Sequence, residues 1–221
     1  MDITLVNFMN EQLSLVSLDF KRYMYEKLPW EARLVGLMGP RGVGKSTMIL
    51  QRIKEMAEAD QQHTLYISAD HSYFTTHTFV DTADEFVREG GKWLFIDEVH
   101  KYDGWSRELK QIYDSHPELH IFFTGSSVLD ILEGEADLSR RALLFDMQGL
   151  SFREYLELFH GIKTPVRSLE DVLDGNTRIE CILHPIPLFN KYLREGYYPF
   201  AEEGYVQQRL QQVVRLTMEV D

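Results

Sequence analysis

Eight consecutive residues, Gly39-Pro40-Arg41-Gly42-Val43-Gly44-Lys45-Ser46, fit the pattern G-x-x-x-x-G-K-[ST] without a gap. Each fixed residue type has a chemical reason. Glycines allow positive φ angles, so a tight turn can aim its N–H groups inward at an anion. A lysine at the end of the turn adds a mobile cation. A helix starting there points its positive dipole end at the same place. Such a cradle suits a nucleotide polyphosphate. Residues Gly39 to Thr47 would bind it, with Lys45 on the β- and γ-phosphates and Thr47 on the α-phosphate. The small Ser46 hydroxyl would ligate Mg²⁺. Pro40 lacks an N–H, but the start of the loop is where a donor is least needed. A second group follows later: Trp93-Leu94-Phe95-Ile96 and then Asp97-Glu98. An apolar strand ending in two carboxylates carries them to the sheet edge where ligands bind in open α/β folds. Asp97 would hold the Mg²⁺ shell, directly or through water. Glu98 would accept a proton from the attacking water, or orient it.

Two further stretches could complete such a site. Thr124-Gly125-Ser126-Ser127 follows an apolar strand, so its hydroxyls could reach the γ-phosphate or the water; an N-cap at Ser127 is the simpler use. Arg140 and Arg141 precede another apolar run. Either could approach a γ-phosphate, from its own subunit or from a neighbour, or could be a solvated pair. The histidines, among them His71 and His77, lack zinc-ligand spacing. Cys181 lies among Ile179, Ile182 and Leu183 and reads as a buried thiol. Tyr192, Tyr197, Tyr198 and Phe200 read as packing residues.

Positioning these groups requires alternating strands and helices. Apolar runs predict strands at 34–38, 64–68, 93–96, 119–123 and 142–145. Helical spacing fills the segments between them, at 48–56, 78–89, 104–114 and 128–132. Residues 1–30 read as helical up to Pro29. Buried strands alternating with helices predict an α/β fold, a three-layer P-loop NTPase with a mostly parallel five-stranded sheet. After about residue 150 the strand pattern stops. Ser151 with Glu154 forms a capping-box signature, and helices are expected at 151–159, 178–184, 188–194 and 200–219. The expected organisation is a core with an N-terminal helix at 1–150 and a helical extension at 151–221. The last helix has no stop signal, so the sequence reads as cut before a further C-terminal domain.

Composition narrows the function classes. The 221 residues include 23 Lys plus Arg and 35 Asp plus Glu, a formal charge of −12. That is a poor match to the basic footprint of a nucleic-acid binder. A single Cys excludes an internal disulfide framework and fits a reducing, cytoplasmic compartment. No apolar run reaches the roughly 18 residues of a membrane span, so no membrane role is expected. The first 30 residues are interrupted by Asp2, Glu11, Asp19, Lys21, Arg22, Glu26 and Lys27, unlike a secretory signal.

Four stretches, LVGLMGPRGVGKST, LFIDEVHKYDGW, IFFTGSS and SRRALLFDMQGLSFREYL, with YLREGYYPF at 192–200, carry a family resemblance. Over roughly residues 10–200 the chain resembles the AAA+-type predicted ATPases of bacteria and archaea. The resemblance implies an extra strand between the P-loop strand and the Asp-Glu strand, and ATP in preference to GTP. One independent check agrees. The sequence holds one Asn-Lys pair, in Asn190-Lys191-Tyr192-Leu193, and Leu193 cannot pair with the guanine amino group as the acid of Asn-Lys-x-Asp does. By position Ser126 matches the family's polar sensor and Arg141 its basic residue before the last strand. Many relatives have Gly-Arg where this chain has Arg140-Arg141. The family's C-terminal domain, often described as nuclease-like, lies outside this sequence. DNA as a target is implied by the resemblance alone.

The reading is an Mg²⁺-dependent ATPase whose cycle drives a conformational change. Lys45, Glu98, Ser126 and Arg141 are its catalytic residues, and Ser46 with Asp97 its metal ligands. ATP is its ligand, and it works as a homo-oligomer or with a protein partner met through the C-terminal domain. The alternative is a nucleotide-controlled switch or scaffold with little turnover. A small-molecule phosphotransferase fits less well, because Gly161 to Thr177 offers only Lys163 and Arg167 for an Arg-rich lid.

Overall fold

The computed structural model of the protein describes residues 1–125, 138, 140–175, 182, 184–203 and 205–219. Two compact units divide the chain, one built on Met1–Gln148 and the other on Gly149–Leu216.

The first unit is a parallel five-stranded sheet with helices. Its strands are β1 (Leu34–Met38), β2 (Thr64–Ser68), β3 (Trp93–Asp97), β4 (His120–Gly125) and β5 (Leu143–Asp146). Their order across the sheet is β2-β3-β4-β1-β5, so β4 separates β1 from β3. This is the inserted strand that the resemblance implies. β1, β2 and β3 are buried at every position, which is why they read as unbroken apolar runs. β5 forms one edge, and its Leu143 and Leu144 stay partly exposed. The helices are α1 (Ile3–Leu15), α2 (Lys45–Glu55), the single turn α3 (Glu58–Gln61), α4 (Phe79–Arg88) and α5 (Trp105–Ser115). The core gathers Leu34, Ile67, Phe79, Leu94, Ile96, Leu109 and Phe123 from strands and helices together. The expected helix at 128–132 lies outside the described residues.

The N-terminal segment corrects one expectation. Helix α1 ends at Leu15, and Val16 is extended. A short 3₁₀ turn, Tyr23–Lys27, follows. Two influences end α1 early. The Ser17 hydroxyl and Asp19 form a local turn, with Asp19 N–H donating to Ser17 Oγ at 3.0 Å. Helix α2 then captures the freed carbonyls. Gln51 Nε2 donates to Ser17 O and Phe20 O, each at 2.8 Å, and Lys54 Nζ donates to Val16 O at 2.7 Å.

The second unit contains α6 (Phe152–His160), α7 (Leu169–Leu173), α8 (Pro185–Glu195) and, as far as Leu216, α9 (Val206–Glu219), with a 3₁₀ turn at Pro199–Glu203. The capping box is present: Ser151 N–H donates to the Glu154 carboxylate at 2.8 Å and Ser151 Oγ accepts from Glu154 N–H. Helix α8 begins at Pro185, where Pro is tolerated in the first turn. Phe152 packs on Phe189 and Tyr192, with ring centroids 5.1 and 5.4 Å apart, and Tyr192 OH donates to Leu150 O at 2.8 Å. These aromatic residues pack on one another while staying partly exposed, Phe189 at 41% and Tyr197 at 39%. Cys181 lies outside the described residues.

Candidate functional site: the carboxyl edge of the sheet

Parallel register brings the chemistry to one edge. Met38 at the end of β1 pairs with Gly125 of β4 and Asp146 of β5, and Ser68 at the end of β2 pairs with Asp97 of β3. The glycine loop, Asp97-Glu98 and Thr124 therefore share the carboxyl edge.

The loop has the backbone its sequence demands. Gly39, Gly42 and Gly44 take φ of 146°, 83° and 100°. A Cβ on Gly39 would lie 2.2 Å from Met147 O, so no side chain fits there. Val43 buries its side chain completely and anchors the loop from below. Lys45 Nζ donates to Gly39 O at 2.6 Å and to Pro40 O at 3.0 Å, closing the loop around its own carbonyls. Lys45 opens α2 directly after Gly44, so the helix N-terminus faces the loop. Ser46 is partly exposed, and Arg41 and Thr47 are exposed.

Asp97 is buried and held from both neighbouring strands. Tyr66 OH, from β2, donates to Oδ2 at 2.8 Å, and Thr124 Oγ1, from β4, donates to Oδ1. The same Thr124 oxygen accepts the Glu98 N–H at 2.9 Å. Glu98 sits at φ 53°, ψ 44°, in the left-handed region. For a residue with a Cβ this costs about 1–2 kcal/mol. The Thr124 hydrogen bond holds that turn and directs Glu98 away from the strand path. Burial raises the Glu98 pKa above its ordinary value, and the charges of Asp97 and Asp70 add to the shift. Burial and the Asp97 carboxylate likewise push the Tyr66 phenol up, so it remains a donor.

A hydroxyl beside a loop of inward N–H groups, with one anchored carboxylate, is a donor set that suits Mg²⁺ bound jointly with phosphate oxygens. All-protein cages of three or more His, Cys, Asp or Glu are absent among the described residues.

The remaining predicted residues divide. Ser126 lies outside the described residues. Arg141 lies before β5, at the opposite edge of the sheet. Leu143 pairs with Val35, so Arg141 is level with the start of β1. A five-residue strand spans about 13 Å, which separates Arg141 from its own loop. There it pairs with Asp114 at the end of α5, Nε to Oδ1 and Nη2 to Oδ2, both at 2.9 Å. The own-subunit approach to a γ-phosphate has no support in this geometry. Arg140 is exposed.

Sequence reasoning missed Tyr66 as a holder of Asp97 and did not single out Thr124 within its turn. The polar Thr124 closing the IFFT run was the available signal. It also missed Arg22, whose buried guanidinium donates to Val43 O in the loop and to Gln148 O at 2.7 Å. Nothing in the local sequence marks that residue.

Among the described residues no helix is long and apolar enough to cross a membrane. The uncharacterized protein MJ1637 of Methanocaldococcus jannaschii is 31% identical over 189 residues, covering 77% of this chain and 39% of that protein. The chain thus spans well under half of that relative's length. The fold resembles solved structures of Hsp104. A Saccharomyces cerevisiae Hsp104–ADP complex aligns with a TM-score of 0.53 at 18% identity, over 95% of this chain and 33% of that one. A closed state of Hsp104 with ATPyS and FITC casein gives 0.50 at 18% identity, over 70% of this chain and 32% of that one. The model of the AAA domain matches residues 31–156, more than half of the chain and all of the carboxyl-edge constellation described above. The chain belongs to the AAA domain family and has its ATPase-like, nucleotide-binding character.

Proposed function

We propose that the protein is an Mg²⁺-dependent ATPase whose turnover drives a conformational change. The observation that carries this reading is one sheet edge holding both the glycine loop with Lys45 and a carboxylate pair whose second member, Glu98, is held in a left-handed turn by Thr124. Loop amides and Lys45 bind the phosphates. Ser46 and Asp97 hold the metal, which would neutralise charge on the β- and γ-phosphate oxygens. Tyr66 and Thr124 fix the Asp97 carboxylate. Glu98 takes the proton of a water as its oxygen attacks the γ-phosphorus. The bond from that phosphorus to the bridging oxygen breaks, and ADP and phosphate leave. A raised proton affinity suits Glu98 to this task. Ser126 acts as the polar sensor, and Arg141 completes the charge clamp of a neighbouring subunit. A homo-oligomer, or a protein partner, follows from that requirement. The single Cys and the chain's acidity support a cytoplasmic protein that does not grip nucleic acid unaided.

A second reading, a nucleotide-held switch or scaffold with little turnover, draws on the distance of Arg141 from its own loop, because in an isolated subunit Arg141 then stays outside the site. ATP binding and phosphate release separate the two. We expect Lys45→Ala to lose ATP binding, and Glu98→Gln to keep binding while hydrolysis falls by about 10²-fold or more. Undiminished ATP binding by Lys45→Ala would sink both readings. Tight binding by the wild-type chain without phosphate release, at any protein concentration, selects the switch.

A further inference from the structure

Phosphate loops turn their N–H groups inward, so their carbonyls point outward and need donors of their own. A buried carbonyl left without one costs its full desolvation. Val43, whose side chain is fully buried, has its carbonyl capped by the guanidinium of Arg22, 21 residues upstream. The same guanidinium donates to Gln148 O at 2.7 Å. Arg22 itself is only 5% exposed. Its two acceptors belong to segments that already touch. Met147 N–H donates to Met38 O at 2.7 Å, and Met147 O occupies the space a Cβ on Gly39 would need. Arg22 thus closes a ring formed by the loop and the strand end beside it.

Arg22 is also aimed by its surroundings. Its neighbour Lys21 pairs with Glu55 at the end of α2 at 2.5 Å, and Tyr25 OH donates to the same carboxylate at 2.5 Å. Gln51 holds the carbonyls of Ser17 and Phe20. The segment bearing Arg22 is therefore fastened along α2, the helix that continues the loop. The planar fork can serve two carbonyls at once, which one ammonium does less well. The fork also sets a fixed positive charge behind the loop in a chain of net charge −12.

We propose that Arg22 is a positioning residue for nucleotide binding: it holds the phosphate loop in its anion-binding form by bridging Val43 O to Gln148 O. Gln148 is the last residue of the first unit before Gly149 begins the second. The guanidinium therefore links loop shape to the point where the chain leaves the sheet. This inference deepens the proposed function, and its test reads the loop as well as the ligand.

The experiment uses the full chain as wild type, Arg22→Gln and Arg22→Lys. It measures ATP affinity by titration and amide hydrogen exchange at Gly42–Lys45 and at Met147. Arg22→Gln loses charge-assisted bonds to two carbonyls, so its ATP Kd should rise by about tenfold or more. Arg22→Lys should fall between Arg22→Gln and wild type. Exchange should quicken at the loop and at Met147 in both variants, while the amides of β3 and β4 stay protected. If Arg22→Gln fails to fold, Arg22→Lys decides on the same two readouts. A folded variant with ATP affinity within about twofold of wild type, or with unchanged loop exchange, overturns the inference. Wild-type protein that binds no ATP would overturn the proposed function instead, and the exchange comparison without nucleotide would still decide whether Arg22 holds the loop.

Discussion

Thr124 is a single buried hydroxyl with two duties: it donates to Asp97 and accepts from the Glu98 N–H. Replacing it with the isosteric Val leaves a buried carboxylate oxygen and a backbone donor short of a partner. We expect Thr124→Val to destabilise the fold by about 1–3 kcal/mol, read as a lowered urea midpoint, while Thr124→Ser keeps most of that stability. Hydrolysis should fall further than ATP binding, because the left-handed turn at Glu98 loses its hold. A Thr124→Val protein as stable as wild type, with the loss falling on Thr124→Ser, would show that the methyl group, and not the hydroxyl, matters. At this scale the loop and the acidic pair were legible in the sequence, because contiguous residues define both. Thr124 was visible only as part of a polar turn. Tyr66 and Arg22 were not legible as site residues. Each acts across a strand or across the chain, and no local spacing encodes such a partner.

At the scale of elements, the sequence placed all five strands to within a few residues, because burial on both faces leaves uninterrupted apolar runs in β1, β2 and β3, and the apolar run 142–145 stood out even at the exposed edge strand β5. It failed at residues 16–28, where helical spacing suggested one continuous helix. The segment instead exchanges helical hydrogen bonds for donors from α2, among them Gln51 and Lys54. Lys21 and Tyr25 fasten it further to Glu55, and hydrogen bonding from Lys21 first, then Tyr25, holds the Glu55 carboxyl below its ordinary value of 4.5. A depressed folded pKa stabilises the native state above the unfolded value, and that contribution is lost as the pH falls through the folded one. Glu55→Gln should therefore lower stability at pH 7 by up to about 1 kcal/mol, as for a partly exposed pair. The gap between Glu55→Gln and wild type should narrow as the pH drops below 4.5. Denaturant midpoints at neutral and acidic pH check this; a gap that stays constant with pH would mean that packing, and not charge, ties the segment down.

For the whole molecule, the decisive fact is that the glycine loop and Arg141 lie at opposite edges of one sheet. The loop and acids lie at the carboxyl edge, and Arg141 lies at the other, paired with Asp114. Arg141 should then act across a subunit boundary. Lys45→Ala chains retain Arg141 but have a disabled loop, whereas Arg141→Ala chains retain the loop. We expect each alone to release little phosphate and a mixture of the two to regain a measurable part of wild-type turnover. A mixture no more active than the sum of its parts would remove Arg141 from a role between subunits. The net charge of −12 is relevant here too. In so acidic a chain, the glycine-loop amides, Lys45 and Arg22 would supply the local positive field that a triphosphate requires.

The sequence by itself determined the phosphate loop, the carboxylate pair and the alternation of strands and helices that makes an α/β sheet. These are local properties, written in contiguous types and periods. Tertiary structure alone decided that β4 enters between β1 and β3, that Tyr66 and Thr124 grip Asp97 from either side, that Arg22 reaches the loop, and that Arg141 faces away from it. The physical reason is common to all four. Strand order and register bring distant residues together by burying apolar area, and the polar groups trapped in that process must find partners wherever the fold has put them.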